Sequence, residues 1–429
     1  MSNTPICIRA PERPREGGRA PTRAPARAAS LAALGLVLSV GACEPVAHVV
    51  LERAPGETPH EEYRLSLEDA GLLGTALGSE WLQASREALE EPQFLSLPYR
   101  EEGLLPLREA TALGFSISAD RGQRIRAELE MLESEEDPAL FVDLFRVAGG
   151  EGGELRHLVA SGPGSRTVDF EARVSGEYLL RLQPELLRGG RYRLTVELLP
   201  GMAFPVEGSG MRDIGSGFGA SRDGGRREHH GVDVFASRGT PVVSATEGTV
   251  RRVSETPIGG KVVWIRDEAV GRSLYYAHLD SQLVAEGARV QPGDTLGLVG
   301  NTGNARTTPP HLHFGVYAQG EGPIDPMPFI RDPGGPLPPL PATLGGVGEW
   351  GRTISDGARV RSRPTTSSTT VAELPQNASL EIVAAVGDWR RVRLPDGRRG
   401  FVSASLVEGI EELLDEEEIL ALAQRRNAR

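Results

Sequence analysis

From Ser66 onward, apolar residues return every three or four positions, at Leu67, Ala70, Leu73, Leu77, Trp81 and Ala84. That spacing predicts a helix with one packing stripe, a face that buries rather than reacts. Near Thr111 the period drops to two. Leu113, Phe115, Ile117 and Ala119 alternate with small or polar residues, and Ile125, Ala127, Leu129 and Met131 repeat the pattern, as half-buried strands require. Further strands are predicted over 139–147, 155–160, 167–172, 178–182 and 192–198, with Gly or Asp clusters between them. Many short strands with regular turn signals predict an antiparallel β-sandwich. A second strand-rich block runs from Met211 to Ile330, and a third from Ala358 to Leu406. The prolines between Asp332 and Pro341 cannot serve a sheet interior, so this stretch reads as a semi-rigid linker. The tail from Glu408 is helical by propensity and carries no functional signal.

A chain of 429 residues exceeds one core and implies about three domains, and low aromatic with high Gly and Pro content fits strands and turns. Charge adds a second layer. Residues 1–42 hold six Arg against Glu12 and Glu16, so the remainder carries −16 where the whole chain carries −12. So acidic a body argues against nucleic acid as partner. The Arg-rich start runs into the apolar segment Leu31 to Val40 and then Val40-Gly41-Ala42-Cys43, the layout of an export signal too short to span a bilayer. This resembles the lipobox of bacterial lipoproteins, which implies lipidation of Cys43 and a cell-envelope location, anchored to a membrane and facing the periplasm or the exterior; an ordinary secretory signal with an incidental Cys is the alternative. Cleavage would remove Cys7 and leave no pair for a disulfide.

Five of the eight histidines fall between His229 and His313, a clustering that invites a metal reading. His229-His230-Gly231-Val232-Asp233 offers an imidazole and a carboxylate four residues apart, with Gly231 allowing a turn between them. His311-Leu312-His313 follows Pro309-Pro310, whose extended geometry favours a strand; both rings then share one face while Leu312 points into the core. Tyr275-Tyr276-Ala277-His278-Leu279 sits in a strand-like context, where His278 alone would pass for a structural residue. Tyr276 reads as a core aromatic more readily than as a groove residue. His230 reads as a surface residue, and His48, His60 and His157 have no motif around them. No HExxH occurs, so the helical zincin arrangement is excluded.

Taken together with Ser216-Gly217-Phe218-Gly219, Gly239-Thr240-Pro241-Val242 and Gly300-Asn301-Thr302-Gly303, these pieces resemble the lysostaphin-type zinc endopeptidases, family twenty-three of the metallopeptidases, over about 120 residues. The resemblance implies one zinc ion per chain held by His229, Asp233 and His313, with His278 and His311 catalytic and unligated. It implies His311 as the main general base and His278 as a partner that polarises water or the oxyanion, roles that could be exchanged. Such a donor set leaves a fourth tetrahedral position open, as a catalytic rather than a structural site requires. Ser175-Gly176-Glu177-Tyr178-Leu179-Leu180-Arg181-Leu182 is similar to the closing strands of the bacterial pre-peptidase C-terminal domain. Val360-Arg361-Ser362-Arg363-Pro364, Gly387-Asp388-Trp389 and Gly400-Phe401-Val402 resemble a bacterial SH3-like barrel, with Phe401 where Trp is common, a change expected to affect a surface aromatic.

The expected organisation is therefore mainly β: a lipoprotein-type signal over 1–42, a variable and helical segment over 43–98, a sandwich over 99–200, the metalloendopeptidase domain over 205–330, a Pro/Gly linker over 331–350, an SH3-like domain over 351–408 and a charged tail over 409–429. The implied function is cleavage of peptide cross-links or stem peptides in peptidoglycan. The barrel would bind the wall, position substrate, or act as a spacer. Two rivals remain: a non-catalytic regulator of another wall hydrolase, and a protease acting on secreted Gly-rich proteins.

Overall fold

A computed structural model describes residues 58–410, apart from 108, 135–136, 149–152 and 223; the basic segment, Cys43, His48 and the tail beyond 410 lie outside the described residues. The single predicted helix is two. Helix α1 (Pro59–Asp69) is capped by Thr58, whose hydroxyl accepts from Glu61 N, and α2 (Ala76–Glu90) by Thr75, which accepts from Gly78 N. Gly71, at φ +69°, takes the left-handed turn that ends α1, and the cap at Thr75 restarts the chain. Leu67 and Trp81 from the predicted stripe are buried all the same.

The sandwich strands are β1 (Tyr99–Leu105), β2 (Leu113–Ala119), β3 (Gln123–Glu133), β4 (Leu140–Ala148), β5 (Glu154–Ala160), β6 (Thr167–Glu171), β7 (Gly176–Pro184) and β8 (Gly190–Pro200). One sheet runs β2-β7-β4-β5 and the other β1-β8-β3-β6. Phe115, Ile117, Leu144 and Leu180 from the first face Ile125, Ala127, Leu194 and Val196 from the second in one core. The small residues that alternate with β2's apolar ones have their own use: any side chain at Gly114 would collide with the backbone of Ala88, so Gly114 lets α2 seat directly on the sheet. Strand β1, absent from the sequence reading, carries the fully buried Glu101.

Between residues 214 and 318 a sheet runs β9 (Ile214–Ser216), β10 (Val232–Phe235), β15 (His311–Ala318), β13 (Arg272–Gln282), β12 (Gly260–Asp267), β11 (Gly248–Thr256) and β14 (Arg289–Val290), in that spatial order. One face packs on a core that includes Val232, Val234, Leu274, Tyr276, Leu312, Phe314 and Val316. Arg272, buried at the start of β13, pairs with both Asp267 and Glu171 of β6, joining this region to the sandwich.

The C-terminal barrel is built on β16 (Ser379–Val386), β17 (Trp389–Arg393) and β18 (Arg399–Ser403). It is not a separate bead. Strand β16 pairs with β1 through Glu102 and Ala385, and Gly103 and Ala384, so barrel and sandwich share one continuous sheet. Arg391 reaches from β17 into the sandwich and forks onto Glu101 at 2.8 and 2.9 Å, while the hydroxyls of Tyr99 and Tyr192 donate to the same carboxylate at 2.5 and 2.7 Å. Phe401 is fully buried in the sandwich core cluster, which corrects its reading as a surface aromatic: the seam covers the position. The segment ahead of the barrel is anchored too, with Val347 in the barrel core and Arg390 donating to Thr343 O at 2.9 Å.

Candidate metal centre and catalytic groove

The HxxxD and HxH segments meet because β10 and β15 are antiparallel neighbours, with Asp233 directly opposite His313. His229, just before β10, turns its ring back onto the same point. His229 Nε2 lies 2.8 Å from His313 Nδ1 and 3.0 Å from Asp233 Oδ1, and His313 Nδ1 lies 3.0 Å from that same oxygen. Three potential ligand atoms thus converge on one spot. Gly231 makes this possible by close approach rather than by an unusual turn: a Cβ there would strike Phe314 O at 2.4 Å and the His313 ring at 2.8 Å.

His229 and Asp233 are held from behind. His229 Nδ1 donates to Gly217 O at 2.8 Å, which leaves Nε2 as the lone-pair atom that faces Asp233 and His313. The far carboxylate oxygen of Asp233 accepts from Arg222 at 2.5 Å, and Arg222 also donates to Ser216 Oγ at 2.8 Å. Burial alone would push the Asp233 carboxyl up, but the His229 and His313 rings packed against it outweigh burial and hold the group far below the ordinary carboxylate range. His313 is lowered, by burial first, against the opposing pull of Asp233. Arg222 was not singled out in the sequence; the nearby Ser216-Gly217-Phe218-Gly219 motif was its only signal.

His278 reaches the site by breaking strand alternation. Along β13, Tyr276 faces the core and Ala277 stands opposite His313, so regular pleating would send His278 inward. Instead its φ is +63°, and the register of β13 shifts on both sides. This re-aims the ring into the groove at a backbone cost of about 1–3 kcal/mol. His278 and His311 have ring centroids 5.0 Å apart, and His278 lies 6.0 Å from His313. His311 Nδ1 donates to Pro309 O at 2.9 Å and His278 Nδ1 to Thr302 O at 3.0 Å. Those anchors leave both Nε2 atoms as acceptors. Burial, with His311 and His313 close by, pushes His278 down to about 4.

Tyr276 is fully buried and its hydroxyl accepts from Ala245 N at 2.9 Å, as a core aromatic. Its neighbour Tyr275 is the residue on the groove face, 5.8 Å from the His313 ring. His230 is exposed. His60 is buried against Trp81, and His157 is bonded to Asp143 at 3.0 Å; neither belongs to the groove.

Residues 227–326 match the Peptidase family M23 and residues 356–408 the bacterial SH3 domain SH3_3. The chain is 38% identical over 119 residues to an L-Ala–D-Glu endopeptidase of Bacillus subtilis (strain 168), covering 25% of this chain and 36% of that protein. It is 36% identical over 114 residues to the peptidoglycan DD-endopeptidase ShyC of Vibrio cholerae, covering 26% of each. The solved catalytic domain of lysostaphin from Staphylococcus simulans is 32% identical, with 27% of this chain and 89% of that one covered and a TM-score of 0.25. The chain spans about a third of the first curated relative's length and a quarter of the second's. The paired HxxxD and HxH segments lie inside the matched range, so the resemblance to peptidase family M23 falls on residues 227–326, the part of the chain that carries the site.

Proposed function

We propose that this protein is a zinc-dependent endopeptidase that hydrolyses peptide bonds in peptidoglycan, in cross-links or stem peptides. The observation that carries the reading is the convergence of two imidazole nitrogens and one carboxylate oxygen within 3.0 Å of one another, beside two further histidines with free Nε2 atoms. The donor set fits zinc: nitrogen and oxygen ligands, three in number, one carboxylate among two neutral imidazoles. His229, Asp233 and His313 would hold it. When bound, the metal supplies Lewis acidity that eases deprotonation of water and polarises the scissile carbonyl.

His311 then accepts the proton of the attacking water at Nε2 and returns it to the leaving amine. His278, neutral and with Nδ1 committed to Thr302 O, can only accept at Nε2, so it orients the water rather than donating to an oxyanion. Arg222 fixes the Asp233 carboxylate from behind. The names of the two relatives specify different bonds, which keeps the bond cleaved here open between stem peptide and cross-link. The barrel, sharing a sheet with the sandwich, suits substrate positioning better than a tethered wall anchor.

Incubating the mature protein, with and without zinc, on purified peptidoglycan and on a Gly-rich protein, with mass analysis of products, tests the reading. New peptide ends from peptidoglycan that depend on zinc support it. Products from the Gly-rich protein alone favour a secreted-protein protease, and none from either favours the regulator. For location we propose an exported, lipid-anchored protein acylated at Cys43, on the strength of Val40-Gly41-Ala42-Cys43. Labelled fatty acid should enter the wild type and not Cys43→Ala; unlabelled protein in the medium would support an ordinary secretory signal.

A further inference from the structure

Beyond the metal-binding residues the groove floor continues along the sheet, and its rows follow from the pairing register. Tyr275 stands opposite Gly315, Trp264 opposite Tyr275, and Arg252 opposite Trp264, so one row crosses β15, β13, β12 and β11. The next row brings Tyr317 opposite Ser273 and Arg266 opposite Ser273 on its other side. Paired residues share a face, and this face is that of His313. The aromatic rings form a cluster: Trp264 lies 4.4 Å from Tyr275 and 5.1 Å from Tyr317, centroid to centroid. All three are half-buried. Gly315 keeps the floor open beside them, since a Cβ there would crowd Tyr317 and the His230 carbonyl.

Two cations border the cluster. Arg252 is exposed, and Arg266 donates to the neutral Gln319 side chain at 3.0 Å. Among the described residues neither has a carboxylate at ion-pair distance, in a chain whose net charge is −12. The buried guanidinium groups of Arg272 and Arg391, by contrast, are each matched to an acid. An acidic body repels an acidic ligand, so unmatched cations beside the active groove are informative where the same cations on a basic protein would not be.

We propose that Trp264, Tyr275 and Tyr317, with Arg252 and Arg266 at their edge, form the subsite that seats the substrate peptide beyond the scissile bond and selects a segment bearing a free carboxylate. The inference rests on the peptidase reading of the same groove. Ring faces take the flat amide planes and aliphatic carbons of an extended peptide, and guanidinium groups take the carboxylate by charge-assisted hydrogen bonds. Strands lie about 4.8 Å apart, so β11 is about 14 Å from β15, or roughly four residues of extended peptide. The selected carboxylate therefore lies two to roughly four residues from the bond that is cut.

The test uses the full zinc-loaded protein and soluble stem peptides released from purified peptidoglycan, either native or with their carboxylates converted to amides. Amidation should raise KM about tenfold, as expected for loss of one or two charge pairs at a partly exposed site, with the change falling in KM more than in kcat. The double variant Arg252→Gln/Arg266→Gln should treat the two peptides alike, and the corresponding Lys variants should recover part of the preference. Thermal unfolding and zinc content of each variant separate this from misfolding. Equal KM for native and amidated peptide in the wild type, or a preference that survives in the Gln variant, overturns the proposal. Direct binding of both peptides to His311→Ala gives a readout independent of turnover. Charge-dependent binding without any wild-type cleavage would sink the peptidase reading and leave the subsite standing.

Discussion

Two places in this molecule bury ionisable groups at short range, and they are built to opposite rules. At the seam between sandwich and barrel, Glu101 receives Arg391 and two tyrosine hydroxyls, so each acceptor has a donor and each charge its opposite. In the groove, His229, Asp233 and His313 aim lone pairs at one point, and among the described residues no side-chain cation is directed to it. The nearest, Arg222, is spent on the outer oxygen of Asp233. A network that closes on itself reports architecture. One that converges acceptors has the donor set of a cation site, and burial makes the difference legible because a buried acceptor without a donor is costly.

The largest effect should come from breaking the converging cluster. Asp233→Ala or His313→Ala should lose bound zinc and bring peptidoglycan cleavage to background, because two ligands rarely hold the metal. His311→Ala should keep its zinc and lose turnover by about 100-fold or more, the scale of a general base. Metal analysis and kinetics on the same preparations decide the matter. A ligand variant with full zinc occupancy leaves the ligand set, and release of zinc from His311→Ala with activity only reduced would reverse the roles within the HxH pair.

Breaking the closed cluster should do something different. Arg391→Met leaves Glu101 buried and unpaired and should cost about 3–5 kcal/mol of stability, while Glu101→Met/Arg391→Met together should recover much of it. Denaturant unfolding measures both, and zinc content should stay at the wild-type level throughout. If Arg391→Met costs no more than a surface substitution, the seam is not the rigid joint that the shared sheet suggests.

The same contrast explains which parts could be read in the sequence. The groove was legible because its chemistry is carried by residue types at local spacings: four residues in HxxxD, two in HxH. Strand periodicity placed Leu312 in the core and both histidines on the other face, as β15 has them. The seam was not, since Glu101 and Arg391 are 290 residues apart and Tyr-Arg-Glu-Glu reads as an exposed polar stretch until its partner is known. Phe401 was misplaced for the same reason: burial at a domain junction leaves no local mark. The helix prediction merged α1 and α2 because the apolar stripe runs across Gly71 and Thr75, where backbone conformation and capping override periodicity. His278 belongs between the two cases. Its motif pointed to the site, but alternation would have turned it into the core, and only a left-handed residue in a shifted register brings it out.

The smallest predicted effect concerns His60, a buried histidine that belongs to neither cluster. It stacks on Trp81 at 4.7 Å, and its Nε2 donates to Gln183 Oε1 at 2.8 Å. Burial, then the nearby Arg181, pushes it down to about 4. The folded state thus holds this ring neutral where an unfolded chain would protonate it near 6.5. Below that value the unfolded state binds the extra proton, so stability is complete above pH 6.5 and is lost as pH falls toward 4. The loss should reach about 1 kcal/mol by pH 5.5 and roughly 3 kcal/mol near pH 4. Asp143, lowered although burial opposes it because His157 and Arg181 bond to it, acts only below the ordinary carboxylate value of 3.8, outside this window. His278 shares the window but is common to both proteins in the comparison, which sets the wild type against His60→Gln. The variant need not match the wild type in absolute stability; its unfolding free energy should fall less steeply between pH 6.5 and 4. Parallel curves would mean that His60 takes up its proton at the same pH in the folded and unfolded states, so that burial does not hold the ring neutral.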